Sequence, residues 1–148
     1  TILRLPLLAG PNPPGNLKAM LNGIAKGYYF NIGGGEARKS IVLAEDVARI
    51  IPKAAKVGGV FNLTDGEHPS FKELSEVLAK QLNKKGPLSL PYTIAKPLAV
   101  VGDILGNKAP INSIKLSKIT SDLTFEDEKA RKVLGWNPTP VLKGFKIT

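Results

Sequence analysis

The chain has 148 residues, 43% of them hydrophobic, and a formal net charge of +9, which suffices for one domain with a core and favours anionic partners. The absence of cysteine excludes disulfides, cysteine-ligated zinc and thiol catalysis, and the lone His68 argues against a histidine-based metal site or catalytic triad. No apolar run is long enough to cross a bilayer, so a cytoplasmic protein with neither a bound metal nor a membrane partner is expected.

The first residues predict a strand, a loop and a helix. Ile2–Ala9 is a nearly continuous apolar run, typical of a strand buried on both faces of a parallel sheet, and Pro6 predicts that the strand lies at an edge or ends early. The sequence GPNPPG at Gly10–Gly15 predicts a rigid loop. Asn16 would then cap a helix, and Gly27 would end it. The apolar stripe of this helix consists of Leu17, Met20, Leu21 and Ile24.

The stretch Gly33–Ile51 joins a triple-glycine turn to a basic pair, a short apolar run and a helix. Tyr28–Ile32 predicts a strand before the glycines, and Ser40–Ala44 predicts an extended segment after them. The helix that follows has acidic residues in its first turn, which suits its dipole. Pro52 predicts a kink or an early end of this helix. Its apolar stripe is Val47, Ile50, Ile51 and Ala54.

The second half of the chain continues the alternation. Strands are predicted at Val60–Thr64 and Leu88–Leu90, and Ser70 and Glu73 form a capping-box sequence at the start of a helix. Three further helical segments are predicted: one with the stripe Ile94, Leu98, Val101 and Leu105, one or two turns within 110–118, and one over 126–134 that Gly135 ends. Such alternation of strands and helices predicts an α/β fold.

Three motifs that could carry chemistry are present only in part. The sequence GGGEARKS at Gly33–Ser40 differs from a phosphate-binding P-loop because Arg38 stands where glycine is needed before the lysine. Tyr92 and Lys96 match the YxxxK spacing of dehydrogenases, but prolines bracket them, so we interpret this pair as a coincidence. The chain also lacks a GxGxxG fingerprint for a dinucleotide. We therefore predict no catalytic residue in this chain.

The positive charge is spread along the chain rather than concentrated. Short basic clusters occur at Arg38-Lys39, Lys84-Lys85 and Arg131-Lys132, and aromatic residues make up only 6% of the chain. Single-strand binding would require aromatic residues interleaved with the basic ones, so nucleic acid is not the expected partner. Arg38 and Lys39 follow a glycine turn and could bind phosphate, with Asn16 as a companion.

The order of several segments resembles a known family. TILRLPLLAGP, GNLKAMLNGIAKG, IGGGEARKSIVLAEDVARII, GVFNLTDGEHPSFKELSEVLAKQL and DEKARKVLGWNPT follow one another as in extended short-chain dehydrogenase/reductases. Among these, the chain is most similar to the NAD-dependent epimerase/dehydratases that act on nucleotide sugars. The resemblance covers the C-terminal part of such an enzyme only. It implies the distal part of a Rossmann-type sheet joined to a small α/β substrate-binding subdomain, and a single fragment, residues 1–148, without the dinucleotide-binding part.

The resemblance also implies roles for particular residues. Pro6 and Leu7 would lie at the nicotinamide end of the cofactor, which is NAD or NADP in the intact enzyme. Asn16 and Leu17 match the step that contacts the nucleotide diphosphate, and Lys39 aligns with a diphosphate-binding arginine, with Arg38 one place earlier. The fragment would bind a nucleotide-diphosphate sugar, but NAD only weakly. The intact protein could form a homodimer.

Two departures from the family pattern bear on the substrate. Leu7 stands where many nucleotide-sugar epimerases have asparagine. The segment before the final helix reads NSIKLSKITSD and lacks the family's arginine, so Lys115 or Lys118 would have to supply the charge. Lysine lacks the planar guanidinium group with which arginine forms two parallel hydrogen bonds to a diphosphate.

The sequence thus predicts the substrate-binding part of a nucleotide-sugar epimerase, dehydratase or reductase that oxidises and re-reduces a sugar carbon, and this fragment alone should be inactive. Two alternatives stay open. One is a small basic α/β module that binds nucleic acid or a protein partner without catalysis. The other is a family member that has lost catalysis and senses NAD(P). Convergence of Asn16, Arg38 and Lys39 on one cleft would favour the nucleotide-sugar enzyme over both alternatives.

Overall fold

A computed structural model describes residues 1–105, 109 and 111–147 and shows three pairs of short parallel strands joined by helices. The strands are β1 (Ile2–Arg4), β2 (Leu7–Ala9), β3 (Phe30–Ile32), β4 (Ile41–Leu43), β5 (Val60–Asn62) and β6 (Leu88–Leu90). The pairs are β1 with β5, β2 with β4, and β3 with β6. The predicted α/β class is therefore confirmed.

Helices connect these strands and cover them. They are α1 (Gly15–Lys26), α2 (Ala44–Val57), α3 (Phe71–Gln81), α4 (Tyr92–Leu105), α5 (Ser113–Thr120), α6 (Glu128–Leu134) and α7 (Val141–Gly144). The glycines at Gly33–Gly35 form a tight turn in which all three residues have a positive φ, of 60°, 81° and 71°. Pro110, where the predicted turns before Lys118 would begin, lies outside the described residues.

The apolar run at the N-terminus is two strands rather than one. The chain leaves the first strand pair after Arg4 and enters the second at Leu7, because Pro6 has no N–H to offer a ladder. The expected early end at Pro6 is thus confirmed. This change of strand partner at Leu5-Pro6 positions the cleft described below.

Strand β4 is the centre of the packing. All three of its residues are buried, and because successive side chains of a strand point to opposite faces, it contributes to two cores. Ile41 and Leu43 pack with α1, α3 and α7, whereas Val42 packs with α2, β5 and α6. The continuous apolar run of β4 reflects burial on both faces.

Three helix predictions need correction. Pro14 is the N-cap of α1, and Asn16 lies in the first turn, because two consecutive prolines hold the backbone extended immediately before the helix. Pro52 does not end α2, which continues to Val57. Gly27 does end α1 in a left-handed conformation, as predicted.

The third correction concerns α4, whose predicted stripe points outward. Ile94, Leu98 and Val101 are half exposed or more, whereas Ala95 and Ala99 are fully buried. These two alanines pack against Ile32, Leu90 and Ile111, as does Leu116 of α5. The small residues form the packing face because α4 and α5 approach each other closely.

Helix α3 begins with the capping box that the sequence predicts. The Ser70 hydroxyl accepts from the Glu73 backbone N–H at 3.1 Å, and the Glu73 carboxylate accepts from the Ser70 N–H at 2.8 Å. These bonds satisfy two N–H groups that the helix leaves without partners. The hydrogen bond from the Ser70 backbone is the main cause that lowers the pKa of Glu73.

Replacing Glu73 with glutamine should test the charge of this cap, since glutamine keeps the box. Because the pKa of Glu73 is lowered in the folded state, its negative charge stabilises the fold at pH values above the usual glutamate pKa. This contribution is lost as the pH falls through the folded-state pKa. Because Glu73 is half exposed, solvent screening limits the loss at pH 7 to about 0.5 kcal/mol. We expect urea unfolding to show this difference at pH 7 and a smaller one at pH 3. Glu76→Gln is the control, and an equal deficit of Glu73→Gln at both pH values would contradict the prediction.

Candidate substrate-binding cleft

An open cleft of about 580 Å³ lies where Leu5-Pro6 leads into β2 and Lys39-Ser40 leads into β4. The first turn of α1, the start of α3, the end of α5 and the segment 121–125 complete its walls. Its lining residues are Leu5, Pro6, Leu7, Asn16, Lys39, Ser40, Phe71, Ser117, Lys118, Ser121, Asp122, Leu123 and Phe125. This is the cleft referred to below.

Lys39 is the buried cation of the cleft. The residue is only 8% exposed, and its ammonium donates to the Lys118 carbonyl oxygen at 2.9 Å and to the Ser121 carbonyl oxygen. It also lies 5.5 Å from the ring centroid of Phe71, in cation–π range. Desolvation lowers the pKa of Lys39, and the charge of Asp122 opposes that shift. Two of the three ammonium protons are thus used within the protein.

Arg38 points away from Lys39. Its guanidinium donates to the His68 carbonyl oxygen at 3.1 Å and lies 4.0 Å from the Glu73 carboxylate. Its backbone N–H donates to the Asp122 carboxylate at 2.7 Å, so its main chain is tied to the cleft wall while its side chain is not. The structure brings Asn16 and Lys39 into one cleft, but Arg38 lies outside the lining.

The other residues singled out in the sequence differ in their access to the cleft. Pro6 and Leu7 line it, and Leu7 also borders the core around α1 and α3. Leu17 is 2% exposed and belongs to that core, so its side chain supports α1. Asn16, one position earlier, is exposed and lines the cleft.

The two lysines of the segment before the last helices also differ. Lys118 is exposed and lines the cleft. Lys115 donates its ammonium to the Ala109 carbonyl oxygen. Of the two residues proposed to replace the family's arginine, Lys118 is therefore the one at the cleft.

A polar network that the sequence analysis missed forms the back wall. The Ser40 hydroxyl accepts from the Phe125 N–H at 2.8 Å and lies 3.0 Å from His68 Nδ1. The backbone of Leu123 also forms hydrogen bonds with Arg38 and Ser40, which precede β4: its N–H donates to the Arg38 carbonyl oxygen, and its carbonyl oxygen accepts from the Ser40 N–H. The bond between Ser40 and Phe125 joins residues 85 positions apart, and that between Ser40 and His68 joins residues 28 apart. The one local signal was a serine directly before an apolar run.

The remaining motifs lie elsewhere. Tyr92 and Lys96 sit on α4 and do not line the cleft, which fits their interpretation as a coincidence. Arg131 pairs with Asp127, the N-cap of α6, at 2.8 Å, and Lys132 pairs with Glu128 at 2.6 Å. Within the described part of the chain, no group of three acidic or histidine side chains could hold a metal. None of the described helices is long and apolar enough to span a membrane.

Comparisons with known proteins define the class of this fold. No protein-family model matches the chain. It is similar to the UDP-glucose 4-epimerase of Thermotoga maritima, solved with UDP-glucose, with a TM-score of 0.68 and 21% identity over 99% of this chain and 43% of that one. A human epimerase family protein with NADPH gives a TM-score of 0.66 and 16% identity over 93% of this chain and 43% of that one. These likenesses show a Rossmann-type α/β fold.

A curated relative gives the same result at the sequence level. The chain is 29% identical over 142 residues to the N-acetyl-α-D-glucosaminyl-diphospho-ditrans,octacis-undecaprenol 4-epimerase of Escherichia coli O157:H7, which covers 87% of this chain and 42% of that protein. The predicted resemblance to the C-terminal half of NAD-dependent nucleotide-sugar epimerases is thereby confirmed. The chain spans less than half the length of the curated relatives it matches.

Proposed function

We propose that this chain is the C-terminal substrate-binding part of an NAD(P)-dependent nucleotide-sugar epimerase or dehydratase, whose intact form oxidises and re-reduces a sugar carbon. The observation that carries the proposal is the convergence of Asn16 and Lys39 on one cleft. Two of the proteins named above act on, or were solved with, sugars attached to a diphosphate, and the cleft offers groups that suit such an anion.

The cleft would hold the diphosphate through fixed donors. Lys39 retains one N–H beyond the two that bind carbonyl oxygens, and those two bonds fix the position of the ammonium. Lys118 adds an exposed point charge, and the hydroxyls of Ser117 and Ser121 and the amide of Asn16 can donate further hydrogen bonds. Donors that are already positioned cost little ordering entropy on binding. The role assigned to this chain is therefore binding of the substrate.

The cofactor is assigned to the intact enzyme. NAD or NADP supplies the hydride acceptor when bound, and Pro6 and Leu7 would face its nicotinamide end. The sequence has no GxGxxG turn, so this chain alone does not fit a dinucleotide. We expect a spectrophotometric NAD titration of this chain to show no tight saturable binding, and no epimerase activity.

The first strand pair supports a role within a larger protein. Parallel sheets occur almost only with both faces covered, yet Ile2 is 59% exposed and Val60 is 36% exposed in the pair of β1 and β5. The helices of a dinucleotide-binding part would cover these side chains, and its parallel strands would extend the pair. By the same proposal the intact enzyme is cytoplasmic and can form a homodimer.

Replacing Lys39 with methionine should weaken the binding of both pyrophosphate and UDP-glucose about tenfold, because a hydrogen-bonded charge contact to the anion is lost. Isothermal titration calorimetry of this chain measures both affinities. Lys118→Met, at an exposed position, should weaken them less and serves as a second variant that keeps the fold.

Arg38→Met is the matched control, since it removes an adjacent positive charge that points away from the cleft. Its affinities should stay within about twofold of the wild type. If Arg38→Met weakened binding as much as Lys39→Met, binding would follow overall charge and the proposed cleft would be wrong. Nucleic-acid binding that falls steeply with salt, without pyrophosphate binding, would favour the basic binding module.

A further inference from the structure

A second, apolar compartment adjoins the cleft. It has a volume of about 370 Å³ and lies between α1, β3, β6 and α5. The cleft and the compartment share two lining residues, Asn16 and Phe71. The remaining walls of the compartment include Met20, Ile32, Leu90, Ile111 and Ile119. We call this space the apolar compartment.

Phe71 forms the boundary between the two spaces. Its side chain is 6% exposed, and the ammonium of Lys39 lies 5.5 Å from its ring centroid on the side of the cleft. An anionic group bound at Lys39 would therefore lie close to the apolar wall of the compartment. The arrangement suits a ligand that is charged at one end and apolar at the other.

The walls of the apolar compartment contain few polar side-chain groups. Those present are the Asn16 amide and the hydroxyls of Tyr28 and Tyr29. Burial raises the pKa of Tyr29 to about 12, which reflects surroundings poor in water. Tyr28 and Phe30 are exposed by 59% and 46% and stand at the outer part of the compartment.

We propose that the apolar compartment binds an aliphatic chain carried by the diphosphate that the cleft holds, so that the substrate is a lipid-linked diphosphate sugar. This inference rests on the proposed binding of a diphosphate in the cleft, and it replaces the nucleoside of the proposed nucleotide-sugar substrate with a lipid. A nucleobase would bring several donors and acceptors into surroundings with few side-chain partners, and each unpaired polar group costs binding free energy. An aliphatic chain brings only apolar surface, whose burial is favourable.

Calorimetric titration of this chain with geranyl diphosphate, inorganic pyrophosphate and UDP tests the inference. We expect geranyl diphosphate to bind at least about tenfold more tightly than pyrophosphate, because apolar surface is removed from water. UDP should not exceed geranyl diphosphate. A Phe30→Ser variant should reduce the advantage of geranyl diphosphate to about threefold or less and leave pyrophosphate binding unchanged.

Leu88→Ser is the matched control. Leu88 pairs with Phe30 across the two strands and is 72% exposed, but it does not line the compartment, so its variant should keep the wild-type affinities. If Phe30→Ser fails to fold, Tyr28→Ser, at a still more exposed position, replaces it.

The outcomes separate the two proposals. Equal affinities for geranyl diphosphate and pyrophosphate, with loss of both in Lys39→Met, would overturn the lipid inference and leave the diphosphate cleft in place. A preference for UDP that depends on Phe30 would also overturn it, in favour of a nucleobase in the compartment. Binding of geranyl diphosphate that depends on Phe30 but not on Lys39 would support the compartment and refute the diphosphate grip.

Discussion

Replacing Gly102 with valine is expected to lower the free energy of unfolding by about 3 kcal/mol. Gly102 lies on the buried face of α4, and a Cβ atom built there would collide with the carbonyl oxygen of Ile111 and meet the Ala109 Cβ at 3.3 Å. A carbonyl oxygen belongs to the main chain and cannot rotate away as a flexible side chain could. The substitution must therefore push α4 away from the segment that leads into α5.

Urea unfolding of the wild type and of Gly102→Val measures this loss. Gly86→Val is the control, because a Cβ at Gly86 meets only the Glu76 side chain, at 4.0 Å, and Gly86 is not at positive φ. That variant should stay within about 0.5 kcal/mol of the wild type. Unfolding of Gly102→Val at the wild-type urea concentration would mean that α4 is not held against Ile111 as described.

The close contact at Gly102 also shows why the predicted packing face of α4 was wrong. Almost every position of this helix is apolar, so its period cannot distinguish an outer from an inner stripe. The large residues, such as Leu98 and Val101, were expected on the inner face because their burial removes more surface from water. Close packing of two helices selects small residues instead, and Ala95, Ala99 and Gly102 follow one another at the spacing i, i+4, i+7.

The basic pair shows a comparable limit at the site. The sequence placed Arg38 and Lys39 together after a glycine turn, but each of them makes a β-bridge, to Ser70 and to Leu123 respectively. Neighbouring side chains in extended backbone point to opposite sides, so the two cations diverge. The alternation of side chains along an extended segment could have predicted that only one of the two cations faces the cleft, but not which one.

Local signals were predicted well, and long-range contacts were not. The capping box of α3, the extended segment that contains β4 and the glycine at the end of α1 depend on residues within a few positions of one another. The carbonyl oxygens that fix Lys39 come from residues 79 and 82 positions further on. No spacing rule links those segments, so the partners of Lys39 emerge only from the fold.

Replacing Asp65 with alanine should cost about 3 kcal/mol of unfolding free energy, since it removes the acceptor of three backbone N–H groups at a buried position. Asp65 is 4% exposed. One carboxylate oxygen accepts from the N–H groups of Glu67 and His68, at 3.1 and 3.3 Å, and the other accepts from Val141 at 3.1 Å. It therefore fixes the loop that carries His68 and the first residue of α7 together.

Because that loop supports Ser40 through His68 and also receives Arg38, the loss should extend to the cleft. We expect Asp65→Ala to weaken pyrophosphate binding severalfold at temperatures where it is still folded, in addition to its lower urea midpoint. Glu67→Ala is the control, since it removes a nearby exposed carboxylate but keeps the backbone N–H that Asp65 binds. If Asp65→Ala unfolded within 0.5 kcal/mol of Glu67→Ala, these three hydrogen bonds would not hold the loop and tail. If Asp65→Ala lost stability but kept its pyrophosphate affinity, the loop would support the fold without shaping the site.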